Sequence, residues 1–518
     1  MPISGVESVL CAGETRSASP SQMDRKGLTS QLAIAILLIA IIGTFYFATM
    51  RVGHVWGDDF ALYIQHAKNI VEHARYDRSN YIFDPDNPTI GPRTYPPGYP
   101  LLLSFVYWQF GMNLTAMKIE NIIIFLVFLL VLFFLLKPEL PLTQVAAIIA
   151  IIGFNPYLWD LKDIVASDIS FLFFCYVTLW LIRRSQQLPP KELNWTEILG
   201  IASFLYFSYA TRSVGLVFVP VLLLYDLIRY RRISRRSVAI TIIFLIGWVL
   251  QGRILHSDAD YFRQINLHPK LILLNTVSSV QDLERLYFWP THLTQLNKEF
   301  RLLFFVGLSS LAVLGYIMRI RREVTIYELF PPLYVATLTV FPLGWEPRYM
   351  LPVLPLFFLY AFSGIAALPG IKAANFGKYV FIGLLLGTGA VYATAYSKMT
   401  FGEMPDGVGK KEVGELFEYV RANTDPTSVL IFRRPRALGL FAERRSSAYH
   451  PYRNENDLWQ YFNKIHADYL VEGPIDEPYW HTFIASQKPK LRDVYSNSEF
   501  TVYKIEPTEA KNLISADN

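Results

Sequence analysis

The stretch Trp56-Gly57-Asp58-Asp59-Phe60-Ala61-Leu62-Tyr63 follows the first long apolar segment, where two adjacent carboxylates meet the edge of a bilayer. Asp58 and Asp59 must stay in water or be held by cations, because desolvating both is costly. Apolar residues recur at helical spacing up to Ala74, which predicts an amphipathic helix along the membrane surface. Helix capping is an alternative role for the acid pair. The polar residues expected to turn away from the apolar face are Gln65, His66, Lys68, Asn69, Glu72 and His73.

The composition is that of an integral membrane protein. Hydrophobic residues make up 52% of the 518 residues and charged residues only 18%, which argues against a soluble enzyme with a single anchor. The formal net charge of +5 is spread over short connections between apolar segments. This distribution follows the positive-inside rule and does not indicate a nucleic-acid partner.

Eleven segments are long and apolar enough to be predicted as spanning helices. Basic residues gather in alternate connections, which places those connections in the cytoplasm and the C-terminus outside. The sequence therefore predicts a disordered cytoplasmic tail at 1–28 and a membrane domain at 29–398. The predicted spans are about 30–50, 114–136, 143–160, 164–182, 196–211, 214–229, 237–255, 302–318, 325–343, 350–368 and 378–396.

Two outer connections are long, at about 51–113 and 256–301. The first contains Tyr95-Pro96-Pro97-Gly98-Tyr99-Pro100 and an apolar run, Leu101 to Phe110, that is too short to span and should lie in the interface. The second is expected to form surface helices, an arrangement common in lids.

From about residue 400 the pattern changes to alternating helices and strands. It predicts a small extracytoplasmic α/β domain at 399–518. The expected elements are helices at 412–422 and 457–465, strands at 428–432 and 467–471, and a hairpin formed by Val494 and residues 500–504.

Charged residues that could carry chemistry fall at the same predicted outer face. Arginine offers a planar fork suited to phosphate oxygens. A carboxylate can take a proton from a hydroxyl or hold a divalent cation. An N-cap is the alternative role for Asp168, and contact with lipid headgroups is the alternative for the arginines. Besides the acid pair, these residues are Asp160, Lys162, Asp163, Asp168, Arg212 and Arg348.

Five segments, in this order and on this side of the membrane, resemble bacterial GT-C glycosyltransferases of the protein O-mannosyltransferase and lipid A aminoarabinose transferase type. The resemblance covers roughly residues 30–400. The family usually has Asp-Glu in the first loop, where this chain has Asp58-Asp59; the spacing to Tyr63 favours Asp59 as the essential acid and leaves Asp58 open. The segments are Asp58-Asp59 with Tyr63, residues 95–103, Ser167-Asp168-Ile169-Ser170-Phe171, Thr211-Arg212-Ser213-Val214-Gly215 and Arg348-Tyr349-Met350-Leu351-Pro352.

The resemblance implies an α-helical polytopic enzyme that transfers a sugar from a polyprenyl-phosphate donor, with inversion, to an envelope lipid, glycan or protein. The reaction would take place at the outer face of the bacterial inner membrane. Asp59 or Asp58 would be the general base, and Arg212 and Arg348 would contact the donor phosphate. Asp168 would be a further catalytic residue that positions the acceptor or a cation. The residues implied to bind substrate are Asp163, Tyr63, Tyr95 and Tyr99. Asp58 and Asp168 would hold a cation such as Mg or Mn, if the enzyme requires one.

A transporter or flippase for lipid-linked sugars is the main alternative. It would need charges at mid-membrane depth and broken helices, whereas most charges here lie at helix ends and in outer connections. A scaffolding membrane protein would leave the acid pair and the Pro-Pro-Gly segment without a purpose. A polymer ligase that uses lipid-pyrophosphate donors would need a basic pocket for two phosphates.

Overall fold

A computed structural model describes residues 25–87, 91–187, 194–255, 265–290, 298–341, 346–366, 373–450 and 453–506. Up to residue 396 the described chain is helical, with short 3-10 helices at Ser213–Val217 and Pro347–Met350. The α-helices are α1 (Arg25–Ala48), α2 (Asp59–Val71), α3 (Gly98–Phe110), α4 (Leu114–Leu136), α5 (Leu142–Gly153), α6 (Pro156–Leu161), α7 (Asp168–Gln186), α8 (Trp195–Thr211), α9 (Phe218–Tyr230), α10 (Arg235–Leu255), α11 (Pro269–Tyr287), α12 (Lys298–Arg322), α13 (Ile326–Thr339), α14 (Leu354–Ala366) and α15 (Ala373–Tyr396).

Six helical segments of the described chain are long and apolar enough to cross a membrane. They fall in α1, α4, α10, α12 and α15 and in the segment Ser213–Tyr230, which joins the 3-10 helix Ser213–Val217 to α9. Helices α5 and α14 are apolar but shorter. The chain is therefore a multi-pass membrane protein. The count of eleven spans stays a prediction, and most of the predicted tail, residues 1–24, lies outside the described residues.

One predicted span, 143–160, is divided into α5 and α6. The Asn155 side chain accepts hydrogen bonds from the backbone N–H groups of Tyr157 and Leu158, and Pro156 occupies the first position of α6. Asn is a strong N-cap and proline suits the first helical turn, so the sequence Asn155-Pro156 starts a new helix. Asp160, Lys162 and Asp163 consequently lie in and just after a short helix rather than at the end of a long span.

Helix α2 forms where the apolar spacing predicted it, but part of its predicted polar face is buried. His66 and Asn69 are buried, contrary to the expectation that they turn away. The Asn69 amide donates to the carbonyl oxygens of Tyr76 and Arg78, and His66 Nε2 accepts a hydrogen bond from the Tyr95 backbone N–H at 3.3 Å. These polar residues are buried because they tie α2 to the chain that follows it.

The C-terminal region alternates helices and strands. Its sheet has the order β2-β1-β3-β5-β4; β1 pairs in parallel with β2 and β3, and β5 pairs antiparallel with β3 and β4. Helix α17, strand β2 and helix α19 were not predicted. The elements are α16 (Lys411–Asn423), β1 (Val429–Ile431), α17 (Pro435–Phe441), β2 (Arg445–Ser447), α18 (Glu455–Lys464), β3 (Tyr469–Glu472), α19 (Pro478–Ser486), β4 (Leu491–Ser496) and β5 (Thr501–Ile505).

The C-terminal region packs against the first outer connection. Phe60 and Ile64 of α2 belong to the same buried apolar cluster as Leu416 of α16 and Leu438 of α17. The backbone around Tyr81 also runs beside β2, since Ser446 donates to Asn80 and accepts from Ile82. A shared core and shared backbone hydrogen bonds fix the position of α17 over the start of α2.

Candidate functional site

The acid pair begins α2 without capping it. Asp58 occupies the N-cap position, yet its side chain makes no capping hydrogen bond. Asp168 is the first residue of α7, and the residue at that N-cap, Ser167, also makes no side-chain cap. Capping therefore explains neither Asp58 nor Asp168, and both carboxylates face arginines instead.

Asp59 is held from three directions. Its Oδ1 accepts a hydrogen bond from the Tyr95 hydroxyl at 2.7 Å and from Arg436 Nη1 at 3.2 Å. Its Oδ2 lies 3.5 Å from Arg348 Nη1. The Asp59 side chain is nevertheless 35% exposed. It is thus a fixed carboxylate with one side open.

Asp58 is turned towards the C-terminal region. Its Oδ1 accepts a hydrogen bond from the backbone N–H of Ala437 at 3.2 Å, and its Oδ2 lies 3.8 Å from Arg436 Nε. The Asp58 side chain is only 11% exposed. The structure therefore separates the two acids: Asp58 contacts α17, and Asp59 faces the opening.

Asp168 lies on the other side of Arg348. Arg212 Nη1 is 2.7 Å from Asp168 Oδ1, and Arg348 Nη1 is 4.0 Å from Asp168 Oδ2. Arg348 also pairs closely with Glu346. A single guanidinium group consequently spans Asp59 and Asp168, and the predicted site residues from α2, α7 and the 3-10 helix 347–350 meet at one place.

Tyr63 and Tyr95, two of the three predicted tyrosines, directly line this cluster of acids and arginines. Tyr63 stacks on Tyr95 with ring centroids 4.5 Å apart, and the Tyr63 hydroxyl is 3.0 Å from Ser167 Oγ, to which Arg212 Nε also donates. Tyr99 packs edge-on against Tyr63 and is fully buried. Tyr99 therefore supports the Tyr63 ring from behind.

The structure places Asp163 apart from this cluster. Arg51 Nε donates to Asp163 Oδ2 at 2.8 Å, and Lys162 Nζ donates to the same oxygen at 2.6 Å. The Asp163 side chain has no exposed surface. Its carboxylate holds the end of α1 against α6, so a role in contacting substrate has no support in this geometry.

The carboxylates named as candidate metal ligands do not form a cation site. Asp58 faces Arg436, and Asp168 faces Arg212 and Arg348. Among the described residues no group of three or more His, Cys, Asp or Glu side chains has a metal-binding arrangement. Arginines already supply the positive charge that a cation would bring, so we assign no step to Mg or Mn.

Burial and charge move the pKa values of the two acids in opposite directions. Burial raises the pKa of Asp58 to about 6, and Arg436 only partly opposes it. Burial also acts on Asp59, but Arg436, Arg348 and the Tyr95 hydrogen bond outweigh it and lower the pKa of Asp59. At neutral pH the carboxylate that faces the opening is therefore ionised.

Arg436 is the site residue that sequence reasoning missed. It lies in α17, and its side chain is 1% exposed. Besides its carboxylate contacts, its Nη2 donates to the carbonyl oxygen of Pro92 at 2.8 Å. The sequence offered only the basic run Arg433-Arg434-Pro435-Arg436, which does not reveal a partner more than 300 residues away in the chain.

Comparison with known proteins relates the chain to solved structures through its fold. ArnT from Cupriavidus metallidurans, bound to undecaprenyl phosphate, matches with a TM-score of 0.54 and 11% identity over 94% of this chain and 100% of that chain. The archaeal oligosaccharyltransferase AglB from Archaeoglobus fulgidus, in complex with an inhibitory peptide and a dolichol-phosphate, matches with a TM-score of 0.56 and 12% identity over 88% of this chain and 70% of that chain. No family model and no curated protein sequence matches the chain. These solved structures are GT-C glycosyltransferases, and the chain has the GT-C fold.

Proposed function

We propose that this protein is a membrane glycosyltransferase that moves a sugar from a polyprenyl-phosphate-linked donor to a hydroxyl of a cell-envelope lipid, glycan or protein. The observation that carries the proposal is Asp59, an open carboxylate held beside Arg348 at the start of α2. The fold shared with proteins solved with undecaprenyl phosphate and dolichol-phosphate supports the donor class.

Asp59 is the proposed general base. Its exposed side can receive the acceptor hydroxyl, whereas Asp58 is largely covered by α17. The hydroxyl proton passes to Asp59 as its oxygen bonds to the anomeric carbon. The bond from that carbon to the phosphate oxygen breaks, and its electron pair leaves with the lipid phosphate. Such a single displacement inverts the anomeric centre.

Arg212 and Arg348 are proposed to stabilise the leaving phosphate. Both side chains are partly exposed, at 15% and 22%, and both contact Asp168. Charge grows on the phosphate as the glycosidic bond breaks, and guanidinium groups already in place stabilise it without reorganisation. Asp168, whose side chain is 1% exposed, positions these two arginines rather than the acceptor.

A lipid-linked donor also explains the location. Its tail stays in the bilayer, so the reacting phosphate must meet the protein at the membrane surface, where α3 presents Phe105 and Trp108. We assign residues 29–398 to the membrane catalytic domain and 399–518 to an extracytoplasmic domain, with the site at the outer face of the bacterial inner membrane. The charge distribution of the connections supports this orientation.

The test uses the purified full chain with a panel of radiolabelled polyprenyl-phosphate sugars. We expect the wild type to release free lipid phosphate from one of them. Asp59→Asn should lower the rate by roughly 10²–10⁴-fold, the range typical for loss of a general base. Asp58→Asn is the matched control, because it alters the neighbouring acid, and it should retain more activity than Asp59→Asn.

Two results would count against the proposal. If the wild type consumes none of the donors, the donor class is wrong, and transport of lipid-linked sugars becomes the better explanation. If Asp59→Asn turns over as fast as the wild type, Asp59 is not the base.

A further inference from the structure

We propose that Arg436 is a positioning residue for Asp59, so that the C-terminal region completes the catalytic site instead of merely lying beside it. This inference rests on the proposed role of Asp59 as the base. Arg436 belongs to α17, which follows β1 of the C-terminal sheet, and yet its guanidinium group is buried among residues of the first outer connection.

The Arg436 guanidinium group binds both Asp59 and the tyrosine that hydrogen-bonds to Asp59. Nη1 donates to Asp59 Oδ1 at 3.2 Å and to the Tyr95 hydroxyl at 3.1 Å, and that hydroxyl donates to the same Asp59 oxygen. Nη2 holds the Pro92 carbonyl, three residues before Tyr95. Arg436 therefore sets the orientation of the carboxylate and of the tyrosine that hydrogen-bonds to it, leaving Oδ2 towards Arg348 and the opening.

The surrounding chain is shaped to admit this side chain. A Cβ at Gly91 would lie only 2.8 Å from Arg436 Nη2, and Gly91 has a φ of +74°, which glycine adopts without strain. The Arg436 guanidinium also lies over the rings of Tyr81 and Tyr95, at 4.9 and 5.4 Å from their centroids. Backbone, rings and carboxylates thus hold the group in one geometry.

The competing explanation is that Arg436 only holds the C-terminal region against the first outer connection. A second arginine provides a control for this explanation. Arg453 also joins the C-terminal region to the first outer connection, with Nη2 at 3.5 Å from Asp84 Oδ2 and 3.7 Å from Asp86 Oδ2. Within the described chain, no hydrogen bond or ion pair joins Arg453 to Asp59. Losing Arg453 should weaken the docking without changing the surroundings of Asp59.

Protonation of Asp59 can be followed by a method that does not depend on enzymatic activity. The groups that face Asp59 electrostatically are Arg436, Arg348, Arg212, Asp58, Glu346, Tyr95 and Tyr63. A carbodiimide reacts with protonated carboxyl groups, and fragmentation mass spectrometry can assign the label to Asp59 across a pH series. Removing one adjacent opposite charge should raise the midpoint of Asp59 labelling by about one pH unit or more.

The experiment compares the full-length wild type, Arg436→Gln, Arg436→Lys and Arg453→Gln in the same detergent. We expect a raised labelling midpoint in Arg436→Gln, an intermediate one in Arg436→Lys, and a wild-type midpoint in Arg453→Gln. In donor turnover, Arg436→Gln should lose kcat at neutral pH because Asp59 and Tyr95 lose their fixed orientation, and the acid limb of its pH–rate profile should move to higher pH together with the labelling midpoint.

The inference is overturned if Asp59 labelling in Arg436→Gln matches the wild type, or if Arg453→Gln shifts it equally. If Arg436→Gln does not fold, the same comparison between Arg436→Lys and Arg453→Gln decides. Labelling and turnover test different claims. If the labelling midpoint shifts but the protein consumes no donor, the proposed function is contradicted, whereas the contact between Arg436 and Asp59 is supported.

Discussion

At the residue scale, two adjacent aspartates with the same chemistry have different surroundings. Asp58 is covered by α17 and receives the Ala437 N–H, whereas Asp59 keeps an open side between Tyr95 and Arg348. Neighbouring positions at a helix start point in different directions, so one acid packs against α17 and the other faces the opening. Sequence spacing favoured Asp59 without excluding Asp58; the exposed fractions of the two side chains support that preference.

Asp58 should make stability depend on pH. Its pKa is raised from 3.8 to about 6, so the folded protein binds this proton more tightly than the unfolded chain. The contribution of Asp58 to stability is present at low pH and is lost as the pH rises through about 4 to 6. Relative to the wild type, Asp58→Asn should therefore gain in thermal unfolding midpoint as the pH is raised through this window. A difference that stays constant across these pH values would contradict the raised pKa.

At the element scale, α12 and α14 pack closely against each other at two glycines. A Cβ at Gly315 of α12 would overlap the carbonyl oxygen of Tyr360 in α14, and a Cβ at Gly364 of α14 would overlap that of Leu311. Close contact of helix backbones is a common way to pack helices in lipid, where burial of apolar surface gives little driving force. The 3-10 helix that carries Arg348 comes shortly before α14 in the chain. The crossing of α12 and α14 therefore helps to hold Arg348 in the site.

Gly315→Ala should destabilise the protein by about 1–3 kcal/mol, because the added methyl forces two helix backbones apart. The matched control is Gly307→Ala in the same helix, where a Cβ would meet nothing within 4 Å. Thermal unfolding of both variants in one detergent checks this prediction. Equal midpoints for the two variants would show that the crossing of α12 and α14 tolerates the added methyl.

α11 connects the second outer connection to the site. It packs against the 3-10 helix 347–350 and against α13, and the Asn275 amide donates to the carbonyl oxygens of Thr339 and Phe341. Its buried residues include Leu283 and Leu286, while Leu273 and Val280 are exposed. A helix in this connection is confirmed, whereas its place at the membrane surface and its movement as a lid remain predictions; residues 256–264 and 291–297 lie outside the described chain.

At the scale of the whole molecule, the C-terminal region and the first outer connection share a core. Phe60 of α2 and Leu438 of α17 belong to one buried cluster, and Trp56 donates to Asp406. Separating the two regions would expose apolar surface on both sides and remove Arg436 from Asp59. The two regions should therefore fold as one cooperative unit.

A chain ending at residue 399 should consequently lose order in its first outer connection. We expect protease to cleave between residues 51 and 113 faster in the truncated protein than in the full chain, and donor turnover to be absent. Limited proteolysis in detergent, mapped by mass spectrometry, measures the first effect. A truncated protein whose first connection resists protease as the full chain does would contradict a shared core.

The sequence alone predicts the multi-pass membrane class, the helix that begins at the acid pair and most of the C-terminal elements, because composition and local apolar periodicity determine them. The position of the segment 101–110 in the membrane interface stays a prediction. It also singled out Asp59, Asp168, Arg212 and Arg348, which the structure brings together. Asp163 was grouped with them by proximity in the chain, but a short helix that begins at Pro156 turns it towards Arg51 and Lys162. Burial of His66 and Asn69 escaped prediction because their partners come from outside α2.

The sequence by itself determined which segments are apolar enough to enter a membrane and which charged residues lie near their ends. Only the tertiary structure decided that Arg436 reaches Asp59, that Arg348 spans Asp59 and Asp168, and that Asp58 turns to α17. The physical reason is the distance along the chain over which each kind of information acts. Periodicity and composition act over a few residues, whereas an ion pair across 377 positions of the chain forms only when packing brings its two partners together.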